Sequence, residues 1–175
     1  VDAMVVACQD SSSTVPVLKK AREAGIKVVT WDLDCEAEGR DVYAGVMDLV
    51  DMGNYWVDSM VRTIGEKGQY AIITATMTNE FMNSRIENMK AYAAETYPGL
   101  ELLTVESCDA DPQKAYQIAQ DLITAYPDMK CILTVSTEAY TSAAKVVEDE
   151  GKIGQIYVAG GVTPSLAKSA FESGA

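Results

Sequence analysis

The sequence predicts an α/β fold made of parallel sheets with helices on both faces. Short apolar runs rich in β-branched residues alternate with helical patterns along nearly the whole chain. The links between these segments are short and contain glycine or proline. A β-α-β-α order with short links implies parallel strands joined by right-handed crossovers.

The elements follow from these patterns in chain order. The predicted strands are Ala3–Cys8, Lys27–Trp31, Val42–Val46, Tyr70–Ala75, Glu101–Glu106, Lys130–Val135 and Gln155–Ala159. The predicted helices are Val15–Ala24, Asp51–Ile64, Glu80–Thr96, Pro112–Ala125, Ala139–Glu150 and Ser165–Glu172.

Local residue chemistry supports the helix ends. Ser13 or Thr14 is a predicted N-cap for the first helix, Pro16 suits its first turn, and Gly25 is expected to end it. Asp111 is a predicted N-cap for a later helix. Each signal agrees with the apolar periodicity, so we expect the boundaries to hold within a few residues.

The alternation breaks once, between the second and third predicted strands. These strands are joined by an acidic turn with no helical pattern, and regular alternation resumes after Asp48. The break predicts two lobes, an incomplete one at residues 1–47 and a fuller one at residues 48–175. We expect a hinge at Met47–Leu49.

Composition narrows the functional classes. The 175 residues contain 14 Lys plus Arg and 26 Asp plus Glu, so the net charge of −12 disfavours nucleic acid as a partner. The sequence has no histidine, which removes the commonest general base and zinc ligand. We expect no cofactor, no metal and no membrane-inserted segment. The four cysteines are expected to be buried free thiols, although a Cys8–Cys35 bridge is an alternative.

The segment from Lys27 to Asp34 carries the strongest functional signal. An apolar strand ends there in Trp31, Asp32 and Asp34, and ligands of open α/β sheets bind beyond the carboxyl ends of strands. Carboxylates accept hydrogen bonds from hydroxyls and an aromatic ring covers an apolar face, which together suit a sugar. The alternatives are that Asp32 only begins a turn, and that Asp34 belongs to a solvated acidic loop.

Two further features lie in predicted helices, and the first of them allows two interpretations. Asn79 and Glu80 open a helix after the fourth strand, where they suit either capping or ligand binding. Trp56 lies in the middle of a predicted helix, and we assign it to the core. No phosphate-loop or dinucleotide-binding pattern of glycines occurs in the chain.

Three stretches resemble periplasmic sugar-binding proteins of ABC transporters, near the branch that includes the rhamnose and autoinducer-2 receptors. The most specific stretch reads LKKAREAGIKVVTWD and ends at Asp32. The similarity continues through Thr78–Glu80 and through Val158–Pro164 and covers essentially the whole chain.

The resemblance implies a type I binding-protein fold of two Rossmann-like lobes, the first incomplete, that clamp a sugar by hinge closure. It implies that Asp32, Asn79 and Glu80 bind ligand hydroxyls, and that Val135 and Thr137 line the site. Relatives often carry an amide at the position of Glu80 and a proline near Val135. An ABC permease is the implied partner, and the implied location is periplasmic or extracellular, with a lipid anchor as one option.

Two rival functions stay open at this point. The same architecture occurs in the effector-sensing domain of sugar-responsive transcriptional repressors, although the Thr-Trp-Asp segment favours transport. An enzyme on a doubly wound sheet is disfavoured because histidine and phosphate loops are absent. The chain starts inside a strand-like run, and we expect it to be a fragment of a longer protein.

Overall fold

The computed structural model describes residues 1–8, 10–45, 49–78 and 80–175, without the side chains of residues 49, 80 and 81. The chain forms two compact units, one made of Val1–Leu49 and Asn79–Phe81 and one made of Val50–Thr78 and Met82–Ala175. Outside the described residues lie the predicted strand end Val46, the predicted hinge residues Met47 and Asp48, and Asn79, which is predicted to bind ligand.

The first unit contains a three-stranded parallel sheet in the order β1 (Ala3–Val6), β2 (Lys27–Trp31) and β3 (Val42–Ala44). Helix α1 (Val15–Glu23) joins β1 to β2. A short 3₁₀ turn at Ala37–Gly39 stands between β2 and β3, so the predicted break in the alternation is confirmed. β1 is two residues shorter than predicted, ending at Val6.

The start of α1 differs from the prediction. Thr14 occupies the N-cap position, yet its side chain makes no capping hydrogen bond and its hydroxyl donates to the Asp10 carbonyl oxygen at 3.0 Å. The Asp10 carboxylate instead accepts from the Ser12 and Ser13 N–H groups at 3.1 and 2.6 Å. Thr14 is therefore the N-cap residue, as one of the two predictions had it, but the capping hydrogen bond is absent and the Asp10 carboxylate organises the turn before it. The bond from Ser13 lowers the pKa of Asp10 most.

Only one face of the first unit's sheet carries a helix among the described residues. α1 contributes Val15 and Leu18 to a core shared with Val28. On the opposite face, Val5 and Val42 are 69% and 54% exposed. Parallel sheets are normally covered on both faces. The helices predicted on both faces are thus present in the second unit. In the first unit, the described helix covers one face of the sheet only.

The second unit contains a four-stranded parallel sheet in the order β5-β4-β6-β7. Its strands are β4 (Lys67–Thr74), β5 (Gly99–Ser107), β6 (Met129–Thr134) and β7 (Tyr157–Gly160). Its helices are α2 (Leu49–Ile64), α3 (Glu80–Thr96), α4 (Pro112–Ala125), α5 (Thr137–Asp149) and α6 (Pro164–Ser173). No helix within the described part of the chain is both long and apolar enough to cross a membrane.

Alternate residues of the two central strands, β4 and β6, belong to two cores on opposite faces of the sheet. Ile73 and Ile132 pack with α4 and α5 on one face, whereas Ile72 and Leu133 pack with α2 and α3 on the other. This period of two on a sheet with covered faces explains the continuous apolar runs in the sequence. The predicted α/β class with parallel strands is confirmed. Asp111 also caps α4 as predicted, accepting from the Gln113 and Lys114 N–H groups.

All four cysteines are buried and free, as predicted. Burial raises the pKa of Cys131 to about 12, and it also raises the pKa values of Cys35 and Cys108. At about pH 8 roughly one Cys131 side chain in ten thousand would be a thiolate, the only nucleophilic form.

We therefore expect the native thiols to resist a disulfide reagent such as Ellman's reagent. Absorbance should record almost no reaction during minutes in buffer and four reacting thiols per chain in concentrated urea. Rapid labelling of two or more thiols in the native protein would contradict the buried arrangement.

Candidate functional site

The carboxyl end of β2 presents an aromatic ring and a carboxylate. Trp31 is 51% exposed although it ends the central strand of its sheet. Asp32 follows with a φ of +60°, a left-handed conformation that is uncommon outside glycine, asparagine and aspartate. Strained residues of this kind cluster at ligand-binding sites.

Hydrogen bonds fix the main chain of Asp32 on both sides. Its N–H donates to the Ala44 carbonyl oxygen at 3.3 Å, and its carbonyl oxygen accepts from the Tyr43 hydroxyl at 2.9 Å. The Arg40 guanidinium lies 5.7 Å from the centre of the Tyr43 ring. The Asp32 side chain is exposed and makes no hydrogen bond with the described residues. The turn thus holds a solvent-facing carboxylate on a fixed backbone.

Asp34 has a structural role that the sequence did not indicate. Its Oδ1 accepts from the Thr30 hydroxyl at 2.5 Å and from Arg40 Nε at 2.6 Å. It also accepts from the Cys35 N–H at 2.9 Å. Burial opposes ionisation of Asp34, but the bonds from Arg40, Thr30 and Cys35 outweigh it and lower its pKa. The expectation of a solvated acidic loop is wrong at this residue.

We expect Asp34→Asn to destabilise the protein by about 1–3 kcal/mol at neutral pH, since an ionised acceptor is lost. A lowered folded-state pKa stabilises above the unfolded value of 3.8 and loses that effect as the pH falls through the folded value. The difference between wild type and variant should therefore shrink below about pH 4. Urea unfolding at neutral pH and below about pH 4 measures this difference in the free energy of unfolding. Glu36→Gln, on the same loop, is the control; equal losses in both variants would contradict the role of Asp34.

In the second unit, the loops after β4 and β6 leave neighbouring strands at the same edge. The hydroxyls of Thr76 and Thr78 lie 2.9 Å apart, and Thr76 Oγ1 accepts from the Thr78 N–H at 3.2 Å. Asn83, in the first turn of α3, donates to the Met77 carbonyl oxygen at 2.6 Å. Ser136 caps α5 by accepting from the Ala139 N–H.

The predicted residues of this unit differ in their settings. Val135 is buried in the core, so a ligand contact from it would come from its main chain. Thr137 opens α5 and is partly exposed. Glu80 opens α3, but its side chain, like the whole of Asn79, is outside the described residues. The described part of the edge therefore contains a hydroxyl and a helix N-terminus, which favours electronegative ligand atoms.

The sequence does not predict a contact that the structure shows at the end of β7, where Gly161 and Arg85 both lie against Trp56. An ideal Cβ on Gly161 would lie 2.5 Å from Trp56 Cζ2, so the loop rests against that indole. The Arg85 guanidinium lies 5.0 Å from the centre of the same ring. Trp56 is buried, as predicted. The Gly160–Gly161 pair was the available signal, because adjacent glycines permit close approach of the backbone.

Comparison with known proteins identifies the family. One family model, described as the periplasmic binding protein domain, matches residues 1–175. This chain belongs to that family. The resemblance inferred from the LKKAREAGIKVVTWD stretch is therefore confirmed, as is the type I binding-protein fold.

The relatives of this periplasmic binding protein domain in sequence and in structure have consistent names. The D-ribose/D-allose-binding protein of Pseudomonas aeruginosa is 27% identical over 168 residues, covering 91% of this chain and 51% of that protein. A sugar ABC transporter structure from Actinomyces odontolyticus aligns with a TM-score of 0.88 and 29% identity, covering 99% and 56% of the two chains. A solute-binding protein from Clostridium phytofermentas with bound L-rhamnose aligns with a TM-score of 0.82 and 26% identity, covering 97% and 53%.

The chain spans about half the length of the curated relatives it matches. Those relatives are named as sugar-binding and transport proteins and not as enzymes. Their names favour the transport interpretation over the transcriptional repressor. The family description and the name of one relative, an ABC transporter periplasmic-binding protein of Escherichia coli, both refer to the periplasm.

Proposed function

We propose that the protein captures a monosaccharide or related polyol between two lobes, at residues 1–47 and 48–175, for delivery to an ABC permease. The observation that carries this proposal is the exposed Asp32 carboxylate on a fixed, left-handed turn beside the half-exposed Trp31. A carboxylate accepts hydrogen bonds only, so it suits a ligand rich in hydroxyl donors. The indole face suits the C–H face of a sugar ring.

The second lobe would supply complementary groups. In this proposal Asn79 and the Thr137 hydroxyl both donate and accept hydrogen bonds, while Glu80 accepts them. Val135 would contribute a main-chain group, since its side chain is buried. Vicinal hydroxyls, each a donor and an acceptor, match such a mixed set. The names of the relatives support aldoses, because they include ribose, allose and rhamnose.

Hinge closure would couple binding to delivery. A ligand that contacts both lobes only in the closed state shifts the population toward that state by its difference in affinity. The permease would recognise the closed shape. In this proposal the protein acts by binding alone, without cofactor, metal or chemical step, in the periplasm or on an extracellular surface with or without a lipid anchor.

Calorimetry on the full-length gene product tests the proposal with D-ribose, D-allose and L-rhamnose. We expect at least one sugar to bind with a dissociation constant of about 1 μM or tighter, and to be recovered unchanged. An amino acid of similar size is the control. Failure of all sugars and polyols in a broader screen would overturn the sugar assignment.

The coding sequence upstream of Val1 separates transport from repression. A signal peptide, with or without a lipid-attachment cysteine, supports transport. A helix-turn-helix supports the repressor alternative and contradicts delivery to a permease. We further expect the isolated 175-residue chain to bind sugar more weakly than the full-length gene product, since it spans only about half the length of its sugar-binding relatives.

A further inference from the structure

A cavity lies in the second unit, at the amino ends of its strands. Its volume is about 460 Å³, and it lies where α2 ends, where β4 and β6 begin, and where the chain enters β7. The loops after β4 and β6 leave the opposite edge of the same sheet, because all four strands are parallel. The volume falls within the range of about 300–1,000 Å³ typical of small-molecule sites.

The charge lining this cavity is the reverse of the charge of the chain. Lys67, Lys130 and Lys152 line it, and no aspartate or glutamate does. The chain as a whole has 26 carboxylates against 14 basic side chains. Glu66 and Asp128 are sequence neighbours of two of these lysines, yet neither lines the cavity.

Five of the ten lysines pair with a carboxylate among the described residues, and the cavity lysines, like Lys20 and Lys27, are not among them. Lys90, Lys114 and Lys145 each pair with a carboxylate at 2.6–2.8 Å. Within the described residues, the three cavity lysines form no ion pair. Of the described residues that line the cavity, only these three lysines carry charge, so an anion bound there would meet no carboxylate.

The backbone around the lysines is firmly held. Gly68, with a φ of +144°, lies under Lys130, since an ideal Cβ there would be 3.3 Å from Lys130 Cγ. The Lys152 carbonyl oxygen accepts from the Gln155 and Ile156 N–H groups at 2.9 and 3.0 Å. Met129 is buried at the base. The stems of the lysines are thus carried by ordered structure.

We propose that this cavity binds a small ligand through a phosphate group with at least two negative charges. Ammonium groups only donate hydrogen bonds and carry positive charge, which suits the several charged acceptor oxygens of a phosphate. Thr63 and Gln155 add polar groups to the lining. This inference concerns a site other than the proposed sugar site and does not depend on it.

The test titrates pyrophosphate into the full-length protein by calorimetry at low ionic strength. We expect a dissociation constant below about 1 mM, weakened at least about tenfold in the double variant Lys130→Gln/Lys152→Gln. The matched control is Lys90→Gln/Lys168→Gln, which removes two charges elsewhere and should leave the affinity within about twofold. Circular dichroism and the melting temperature confirm that each variant is folded.

A second arm identifies the source of the phosphate. Vesicles of phosphatidylcholine with and without phosphatidic acid, whose terminal phosphate carries up to two negative charges, are sedimented with each variant. Lysine-dependent binding of pyrophosphate supports a soluble phosphate ligand, and lysine-dependent binding confined to the anionic vesicles supports a lipid headgroup. Absence of both, or equal binding by the two double variants, overturns the proposal. Sugar titrations of the same samples report separately on the proposed function.

Discussion

Replacing Gly160 with alanine should lower the free energy of unfolding of the second unit by about 3–5 kcal/mol. Gly160 ends β7 with a φ of +148°, a conformation essentially confined to glycine. An ideal Cβ there would lie 2.1 Å from the Thr134 carbonyl oxygen on β6. β7 would have to move away from β6, which costs the hydrogen bonds at the end of that strand pair.

The control for this prediction is Gly154→Ala. Gly154 also has a positive φ, +78°, but a Cβ there would meet nothing within 4 Å. This variant therefore reports the cost of the backbone conformation without the steric overlap, which we expect to be about 1 kcal/mol. Urea unfolding followed by circular dichroism gives both values. Equal losses in the two variants would contradict the importance of the close approach of β7 to β6.

The contacts that hold Gly160 against β6 also position the loop after β7. Thr134 is buried, and its hydroxyl donates to the Ala159 carbonyl oxygen at 3.1 Å. Gly161 then brings the chain against Trp56. The two glycines thus set the course of the chain where it leaves the sheet, next to the edge that contains Thr137. Stability and the shape of this edge depend on the same contacts.

Much of the second unit could be predicted because its local and tertiary signals agree. The apolar runs of β4 and β6 reflect strands covered on both faces, and the Asp111 N-cap reflects a helix start that needs no distant partner. Strand ends were less predictable. β4 begins at Lys67 and not at Tyr70, because Gln69 and the residues before it pair with β5 despite their polar or glycine character.

The errors in the first unit have a common cause. The alternating acidic run predicts a solvated Asp34. In the folded chain, the turn brings Thr30 and Arg40 within hydrogen-bond distance of its carboxylate. Composition cannot distinguish such a carboxylate from the exposed Asp32. The left-handed conformation of Asp32, and the Tyr43 bond that holds it, are likewise visible only in the folded chain.

Asp32→Ala in the full-length protein should weaken sugar binding by at least about 100-fold. Each hydrogen bond to a charged group contributes about 1.5–3 kcal/mol, and one carboxylate can accept from two ligand hydroxyls. Asp32→Asn should weaken binding about tenfold, because asparagine tolerates the left-handed turn and retains an acceptor but lacks the charge. Calorimetry with the best sugar of the screen measures both changes.

Glu36→Gln is the matched control, since Glu36 is an exposed carboxylate on the same loop and we expect its loss to change affinity less than twofold. Tyr43→Phe separates positioning from contact, because it removes the hydroxyl that bonds the Asp32 carbonyl oxygen and leaves the carboxylate in place. A loss between those of the control and Asp32→Asn would mean that the fixed turn aims the carboxylate. Sugar affinity within about twofold of wild type in Asp32→Ala would remove Asp32 from the site and, with it, the chief support for binding at this edge.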